Sequence, residues 1–163
     1  MPIPGPIIIV CTANICRSPM AEGLLAHALA GLEEPLKNLP VASAGVTARS
    51  GDVVSANSVA AMKKVGIDIS KHRARPLTQE MLDEASAVFC MTESHRTIIR
   101  LQAVPVPPEL HLLRDFLPGT ATREIADPFG GPLKLYEASR DEMVEAIPSL
   151  LAFLRKRFAP RPS

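Results

Sequence analysis

A run of four apolar residues near the start of the chain limits its possible folds more than any other feature. Residues 7–10 are Ile-Ile-Ile-Val, so a strand formed by them is buried on both faces, as strands of a parallel sheet are. A helical pattern follows after a short loop, with Ser18 as the expected N-cap, Pro19 at the first helical position and apolar residues at helical spacing as far as Leu32. The chain therefore begins with a strand, a loop and a helix.

The same alternation continues along the chain. We predict further strands at residues 41–46, 87–91 and 110–116, and helices at residues 55–65, 78–85, 92–101 and 136–158. Pro148 lies inside the last helix and predicts a kink or a restart there. Because strands alternate with helices, the sequence predicts an α/β fold, a single doubly wound domain over residues 1–163 with a Pro-rich lead-in at 1–6 and a flexible tail at 159–163.

The composition excludes several classes of partner. Lys plus Arg number 18 and Asp plus Glu number 17, a net charge of +1 that lacks the positive excess of nucleic-acid-binding proteins. The longest purely apolar stretch is far short of the roughly 20 residues that cross a bilayer. No cleavable signal pattern opens the chain, so we expect a cytoplasmic protein with no membrane partner. We also expect a monomer. Three cysteines, an odd number, argue against a disulfide framework and for thiols that are inert, redox-active or catalytic.

The loop at residues 11–18 carries the clearest chemical signal. Cys11 stands at the carboxyl end of the first strand, where ligand sites form in open α/β sheets, and Arg17 follows six positions later with only uncharged residues between. A loop of this length can curl so that successive backbone N–H groups point inward, and the next helix adds its partial positive charge. The sequence therefore predicts a cradle for a tetrahedral dianion, in which Arg17 donates to two oxygens and the positive field favours the thiolate of Cys11.

The spacing alone is not specific, because Cys90 and Arg96 repeat it. In this second segment Glu93 would repel an anion, and Thr92 is expected to cap a helix at once, which leaves no room for a cradle. We therefore predict that Cys90 is a buried core residue at the end of a strand.

The first segment also resembles a known family. Residues 7–22, Ile-Ile-Ile-Val-Cys-Thr-Ala-Asn-Ile-Cys-Arg-Ser-Pro-Met-Ala-Glu, are similar to the signature of the low-molecular-weight protein tyrosine phosphatases. The resemblance continues in the family's order at residues 43–45, at 66–70 with His72, and at Asp127-Pro128. It implies a flavodoxin-like domain whose four-stranded parallel sheet has the order 2-1-3-4 and is flanked by helices.

The resemblance implies a mechanism that needs neither a metal nor a cofactor and acts on a phosphorylated protein or peptide. Cys11 would attack phosphorus and form a phosphocysteine intermediate, while Asp127 would protonate the leaving group and then activate water. The phosphate would be held by Arg17 and by a phosphate-binding loop made of Thr12, Ala13, Asn14, Ile15, Cys16 and Ser18.

The same resemblance assigns supporting roles. Ser18 would donate a hydrogen bond to the thiolate, Asn14 would hold the loop in a left-handed backbone conformation, and Ser43 and His72 would support Asn14. Without the family match, Asp127-Pro128 is more typical of an ordinary turn. His72 alone is more typical of a structural histidine, and Ser43 alone indicates nothing.

Cys16 lies five residues after Cys11 on the same loop. In the family this second cysteine acts as a redox lock, so the resemblance implies a disulfide between the two and reversible inactivation by peroxide. The alternative is a small apolar residue packed under the loop.

The sequence is divided on which phosphorylated residue is the substrate. Ile15 would border the pocket mouth and, with Phe129, would suit a phosphotyrosine ring. The bacterial protein-arginine phosphatases, which this sequence also resembles, typically have Thr at the position of Ile15. Thr12 and the segment Asp-Pro-Phe-Gly-Gly at 127–131 resemble that arginine branch instead, and Gly130 removes a second aromatic wall. We give Ile15 the greater weight, because an unpaired guanidinium in an apolar pocket is costly, and predict a phosphotyrosine phosphatase with a protein-arginine phosphatase as the alternative.

Two other classes remain possible. An arsenate reductase shares this fold and anion loop but needs a relay of further cysteines near the third strand, where the sequence offers only Cys90. A non-catalytic anion-binding or redox module would not need the acid Asp127. Residues 47–57, which include Arg49, are expected to rim the pocket.

Overall fold

The computed structural model describes residues 4–119 and 122–159. The expected lead-in at 1–6 and tail at 159–163 fall largely outside these described residues. The strands are β1 (Ile7–Cys11), β2 (Val41–Gly45), β3 (Ala87–Cys90) and β4 (Leu110–Leu112). The helices are α1 (Arg17–Ala30), α2 (Ala56–Lys63), α3 (Gln79–Glu84), α4 (Glu93–Gln102) and α5 (Leu133–Arg157), with a short 3-10 turn at Leu36–Asn38.

The four strands form one parallel sheet in the order β2-β1-β3-β4. Strand β1 is central and buried along its whole length, as its continuous apolar sequence predicts. Its register pairs Cys11 with Gly45 of β2 and Val10 with Cys90 of β3. The carboxyl ends of three strands therefore meet at one edge of the sheet. The predicted fold class and strand order are confirmed.

Helices cover both faces of the sheet, because successive residues of β1 point to opposite sides. Ile7 and Ile9 pack into a cluster that includes Met20 of α1 and Leu150 of α5. The two intervening residues of β1 pack into a second, smaller cluster with side chains from α3 and α4. Cys11 continues the first series, so its side chain lies on the α1 and α5 side.

Several element ends differ from the predicted ones. Helix α1 begins at Arg17 with Cys16 as its N-cap, not at Ser18, because the Ser18 hydroxyl is within hydrogen-bond distance of the Cys11 sulfur instead of capping the helix. Strand β4 ends at Leu112, whose N–H donates to the Asp115 carboxylate and so closes a turn. Helix α5 begins at Leu133 and runs without interruption through Pro148, so the predicted restart does not occur.

Two further findings concern the cores and the helices. Cys90 is fully buried at the end of β3, as predicted, and burial raises the pKa of its thiol to about 12. None of the helices within the described residues is both long and apolar enough to cross a membrane.

Candidate active site

The loop between β1 and α1 is held in its curled form by one buried asparagine. Asn14 has a positive φ of 59°, a left-handed conformation that Asn adopts more readily than most side chains do. Its side-chain amide donates to the hydroxyls of Ser18 (2.7 Å) and Ser43 (2.9 Å), and its side-chain carbonyl accepts the Arg75 backbone N–H (3.0 Å). A single side chain therefore ties the loop to α1, to β2 and to the segment that follows Ile69.

Further residues support Asn14 from behind. The imidazole Nε2 of His72 lies 2.9 Å from the Asn14 backbone carbonyl, to which it donates. The Ser43 hydroxyl donates to the Glu22 carboxylate (2.5 Å), which leaves its oxygen free to accept from Asn14. Ser43 and His72 therefore both contact Asn14, and Glu22 contacts Ser43. The sequence alone does not indicate this contact of Glu22.

The backbone of the loop at residues 12–14 packs closely against Gly45 of β2. A Cβ atom on Gly45 would lie 2.5 Å from the Thr12 backbone carbonyl and 2.9 Å from the Asn14 backbone nitrogen, both closer than van der Waals contact allows. Only glycine fits at this position. The sequence identifies Gly45 as part of a motif but does not show that the phosphate-binding loop rests on it.

The sulfur of Cys11 faces a single hydroxyl. Ser18 Oγ lies 3.0 Å from Cys11 Sγ, and both residues are buried. Because the same hydroxyl oxygen accepts a hydrogen bond from Asn14, the Ser18 proton is available to the sulfur. The arrangement can stabilise a thiolate that acts as a nucleophile or as a leaving group.

Arg17 supplies the positive charge of the site from a buried position. Its side chain has Nη1 donating to the Ile125 carbonyl (2.9 Å), and Nη2 lies 3.4 Å from Thr12 Oγ1 and 3.6 Å from a carboxylate oxygen of Asp127. Its Nε–H is buried and has no hydrogen-bond partner among the described residues. A buried guanidinium N–H without a partner is costly, so an acceptor is expected at this place.

The backbone of the loop adds more donors beside that nitrogen. In the part of the chain that the structure describes, no backbone hydrogen bond outside the helices and strands uses the N–H groups of residues 13–16 as donors. Helix α1 begins at the end of this loop and contributes the partial positive charge of its N-terminus. Together these groups can bind the oxygens of a tetrahedral anion directly in front of the Cys11 sulfur.

A pocket of about 260 Å³ opens above the loop. Asp127 stands at its mouth with its side chain 51% exposed, and its other carboxylate oxygen accepts the Phe129 backbone N–H (3.1 Å). The Phe129 ring is largely exposed, which leaves it accessible to a ligand. The lining consists of Cys11, Thr12, Ala13, Ile15, Cys16, Arg17, Asp127 and Phe129.

Cys16 lies in the same pocket with a protonated side chain. Burial raises the pKa of its thiol, which keeps it uncharged near neutral pH. The Tyr136 hydroxyl of α5 is 3.6 Å from its sulfur. Cys11, Cys16 and Cys90 form no disulfide in this structure.

The loop at residues 47–57 packs against the phosphate-binding loop. The Thr47 backbone N–H donates to the Thr12 carbonyl (2.9 Å) and the Ser55 backbone N–H donates to the Ile15 carbonyl (2.8 Å). Arg49 is exposed and does not line the pocket. Within the described residues, no three His, Cys, Asp or Glu side chains lie close enough together to hold a metal ion.

One contact to a pocket residue comes from the segment around Cys90 and Arg96, for which the sequence predicts no anion cradle. His95, in the first turn of α4, reaches the Thr12 hydroxyl with its Nε2 at 2.9 Å. The sequence indicates this contact of His95 only indirectly, because α4 follows β3 and the carboxyl end of β3 lies next to that of β1. The Cys90 segment forms no cradle of its own, yet it contributes a side chain to the first one.

Comparison with known proteins agrees with this geometry. The sequence model of the family described as low molecular weight phosphotyrosine protein phosphatase matches residues 6–159. A protein named protein-arginine-phosphatase from Geobacillus stearothermophilus is 38% identical over 91% of this chain and 95% of its own. A probable low molecular weight protein-tyrosine-phosphatase, EpsP, from Ralstonia nicotianae is 33% identical over 85% of this chain and 88% of its own.

A solved structure shows the same fold. The low molecular weight protein tyrosine phosphatase of T. tengcongensis superimposes with a TM-score of 0.83 at 33% identity, over 91% of this chain and 99% of its own. The match of the family model, the relatives of equal length and the shared fold lead to one conclusion. The chain belongs to the low molecular weight phosphotyrosine protein phosphatase family.

Proposed function

We propose that this chain is a cysteine-dependent phosphatase that hydrolyses phosphotyrosine in proteins or peptides through a phosphocysteine intermediate. The observation that carries the proposal is the buried Nε–H of Arg17, which has no partner among the described residues, together with the unused N–H groups of the loop, in a pocket that Cys11 and Arg17 both line. Three equatorial phosphate oxygens would satisfy these donors at once and place phosphorus in front of the nucleophile. The family match supports the same class of reaction.

The first half of the reaction transfers the phosphoryl group to the enzyme. The Cys11 thiolate forms a bond to phosphorus as the bond from phosphorus to the leaving oxygen breaks. Arg17 and the loop N–H groups stabilise the charge on the equatorial oxygens. Asp127, at the pocket mouth, gives its proton to the leaving oxygen.

The second half releases phosphate. A water attacks phosphorus from the side that the leaving group vacated, and Asp127, now ionised, takes the proton of that water. The sulfur–phosphorus bond breaks and returns the thiolate, which the Ser18 hydroxyl stabilises from 3.0 Å. Asn14, supported by Ser43 and His72, keeps the loop in shape through both halves.

The walls of the pocket favour a tyrosine side chain. Beyond the cradle the pocket is lined by Ala13, Ile15 and Phe129, which are apolar. A phenyl ring packs well against such walls, whereas a guanidinium needs polar partners there.

A protein-arginine phosphatase is the second candidate, and three observations favour it. The relative from Geobacillus stearothermophilus carries that name at 38% identity. Gly130 has a positive φ of 80° and offers no second aromatic wall, while the half-exposed carboxylate of Asp127 is an acceptor for guanidinium N–H groups. An arsenate reductase is disfavoured, because Cys90 is fully buried and its raised pKa opposes a role in a thiol relay.

The test compares matched phosphotyrosine and phosphoarginine peptides near neutral pH with a chelator present. Cys11→Ser is the blank, and Ile15→Thr is the matched pocket variant. We expect the parent to prefer phosphotyrosine by about tenfold or more in kcat/KM, equivalent to about 1.4 kcal/mol, and Ile15→Thr to reduce that preference.

The possible outcomes separate the class from the substrate. A Cys11-dependent preference for phosphoarginine would keep the phosphatase class and overturn the tyrosine assignment. No Cys11-dependent hydrolysis of either peptide, or of any aryl phosphate, would reject the class and favour an anion-binding module that is not a catalyst.

We also propose that Cys16 protects Cys11 by forming a reversible disulfide with it under peroxide. The two side chains share one loop and one pocket, which supports the pairing. After peroxide and then reductant, the parent is expected to recover activity and Cys16→Ser to recover much less. Equal recovery of the two would show that Cys16 does not protect the nucleophile.

A further inference from the structure

His95 is a buried histidine whose two ring nitrogens both have partners. It lies at the third position of α4 and is 3% exposed. Its Nδ1 is 3.3 Å from the Thr92 backbone nitrogen, and its Nε2 is 2.9 Å from the Thr12 hydroxyl. The imidazole therefore joins the start of α4 to the residue that follows the nucleophile.

The partners assign the protonation of the ring. Nδ1 also lies 3.2 Å from the Thr92 hydroxyl, whose oxygen already accepts the His95 backbone N–H and whose proton can therefore be donated. The Thr92 backbone N–H can only donate, so Nδ1 is the acceptor for both Thr92 groups and the ring proton is on Nε2. Burial, followed by the charge of Arg17, lowers the pKa of His95 to about 4, so the ring is neutral near pH 7. His95 therefore donates its Nε2–H to Thr12 Oγ1.

The Thr12 hydroxyl is then saturated as an acceptor. Its oxygen has two lone pairs, one used by His95 and the other facing an N–H of Arg17 at 3.4 Å. The hydroxyl proton must point elsewhere, and no acceptor for it is found among residues 4–119 and 122–159. Thr12 lines the pocket together with Cys11 and Arg17, so this proton is a donor available to a ligand.

We propose that His95 is a positioning residue that holds the Thr12 hydroxyl as a hydrogen-bond donor to an oxygen of the bound phosphate. The inference deepens the proposed phosphatase function and rests on it. Thr12 contacts the phosphate, and His95 acts only through Thr12. A hydroxyl fixed in this way accepts nothing further, so it matches a phosphate oxygen and offers no partner to the N–H groups of a guanidinium.

The test uses a double-mutant cycle between the two residues. His95→Asn keeps a carbonyl oxygen that can accept the Thr92 N–H but is too short to reach Thr12. Thr12→Val removes the hydroxyl at nearly constant shape, and Thr12→Ser restores it. His27→Asn, on the exposed side of α1, is the matched control. Each variant is assayed for kcat/KM on p-nitrophenyl phosphate and, by calorimetry, for the Kd of inorganic phosphate.

The expected result is a coupled loss. His95→Asn and Thr12→Val each weaken phosphate binding by roughly 3- to 10-fold, as loss of one hydrogen bond does, and lower kcat/KM by a similar factor. The double variant is no worse than Thr12→Val alone, since His95 has nothing left to position. Thr12→Ser, which keeps a hydroxyl, is expected to recover most of the loss seen in Thr12→Val, and His27→Asn stays within about twofold of the parent.

Other outcomes would overturn the proposal. If the two losses multiply in the double variant, His95 does not act through Thr12. If His95→Asn fails to fold, the comparison of Thr12→Val with Thr12→Ser decides, and equal phosphate affinities would show that the hydroxyl makes no contact. Phosphate affinity is measured without turnover, so a parent that binds phosphate but hydrolyses nothing would reject the proposed function and still allow the cycle to be judged.

Discussion

The two charged side chains of the site lie in contrasting environments. Arg17 is buried and anchored to the Ile125 carbonyl, whereas Asp127 is half exposed and lies 3.6 Å from the same guanidinium. A buried, anchored cation suits a group that binds an anion in a fixed place. An accessible carboxylate at the pocket mouth suits a group that exchanges protons with a leaving group and with water.

Replacement of Asp127 by Asn tests that division. Asn keeps the shape of the side chain but carries no transferable proton, so kcat/KM, which reports phosphoryl transfer to Cys11, is expected to fall by roughly 10²- to 10⁴-fold with phenyl phosphate. The fall should be much smaller with p-nitrophenyl phosphate, whose leaving group needs little protonation. Steady-state kinetics on both substrates, with Asp83→Asn on α3 as the control, measure the difference. Equal losses on the two substrates would contradict the role of Asp127 as the acid.

His95 predicts a pH dependence of stability. Its pKa is lowered from the ordinary 6.5 to about 4 in the folded protein, chiefly by burial. Between these values the unfolded chain binds more protons than the folded chain, so the free energy of unfolding falls as pH falls. Between about pH 7 and about pH 4.5, His95 is expected to lower the free energy of unfolding by roughly 2 to 3 kcal/mol.

Urea denaturation at the two pH values measures this contribution. His95→Asn lacks the titrating ring and is expected to lose less stability than the parent over the same interval. Parallel losses in the parent and the variant would show that His95 is not held neutral by the fold.

Among the elements, the conformation of the loop at residues 11–18 depends on the neighbouring strand β2. β2 runs parallel to β1 and places Gly45 opposite Cys11, directly beneath the loop backbone. Gly45 is held in turn by a later segment of the same chain, because the Gly45 N–H donates to the Arg75 carbonyl (3.0 Å). The loop is therefore clamped from below as well as by Asn14.

Gly45→Ala tests the clamp. Its methyl group would require the Thr12 carbonyl and the Asn14 nitrogen to shift, and a displacement of this kind is expected to cost about 10²-fold in kcat/KM. Gly31→Ala, where the added Cβ meets only an ordinary contact at 3.8 Å, is the control and should retain activity. Circular dichroism establishes that both variants are folded. A fully active Gly45→Ala would show that the loop does not rest on β2.

The order and type of the elements were predictable from sequence, but their ends were not. The buried run at residues 7–10 and the helical spacing after it are local patterns, and the structure confirms both. Ser18 was expected to cap α1 because Ser before Pro is typical of a helix start. A tertiary contact decided otherwise, since the hydroxyl is directed to the Cys11 sulfur. Local helix-capping preferences do not take account of a competing tertiary hydrogen bond such as this one.

At the scale of the whole molecule, the parallel register brings distant segments to one edge of the sheet. The carboxyl ends of β1, β2 and β3 place Cys11, Gly45 and the start of α4 together, and the segment before α5 adds Asp127. Segments that are far apart in the sequence therefore contribute to one site.

The same topology explains which site residues the sequence could reveal. Cys11 and Arg17 lie on one short loop, so their relation is visible in the spacing. Ser43, His72 and Asp127 could be named only by resemblance to a family, because nothing local marks them. Gly45 and His95 contribute through contacts between strands that are far apart in sequence, and only the folded arrangement shows what they touch.

Direct trapping of the phosphoenzyme tests most closely the proposal that Cys11 carries the phosphoryl group. Asp127→Asn is mixed with p-nitrophenyl phosphate, quenched rapidly and examined by intact-mass and peptide mass spectrometry. Because this variant can still be phosphorylated by a substrate with a good leaving group but activates water poorly, the account predicts that one phosphoryl group accumulates on Cys11. No phosphoryl group should appear at position 11 of Cys11→Ala, which has no side-chain nucleophile. A phosphoryl group on any other residue, or turnover by Cys11→Ser equal to that of the parent, would contradict the account.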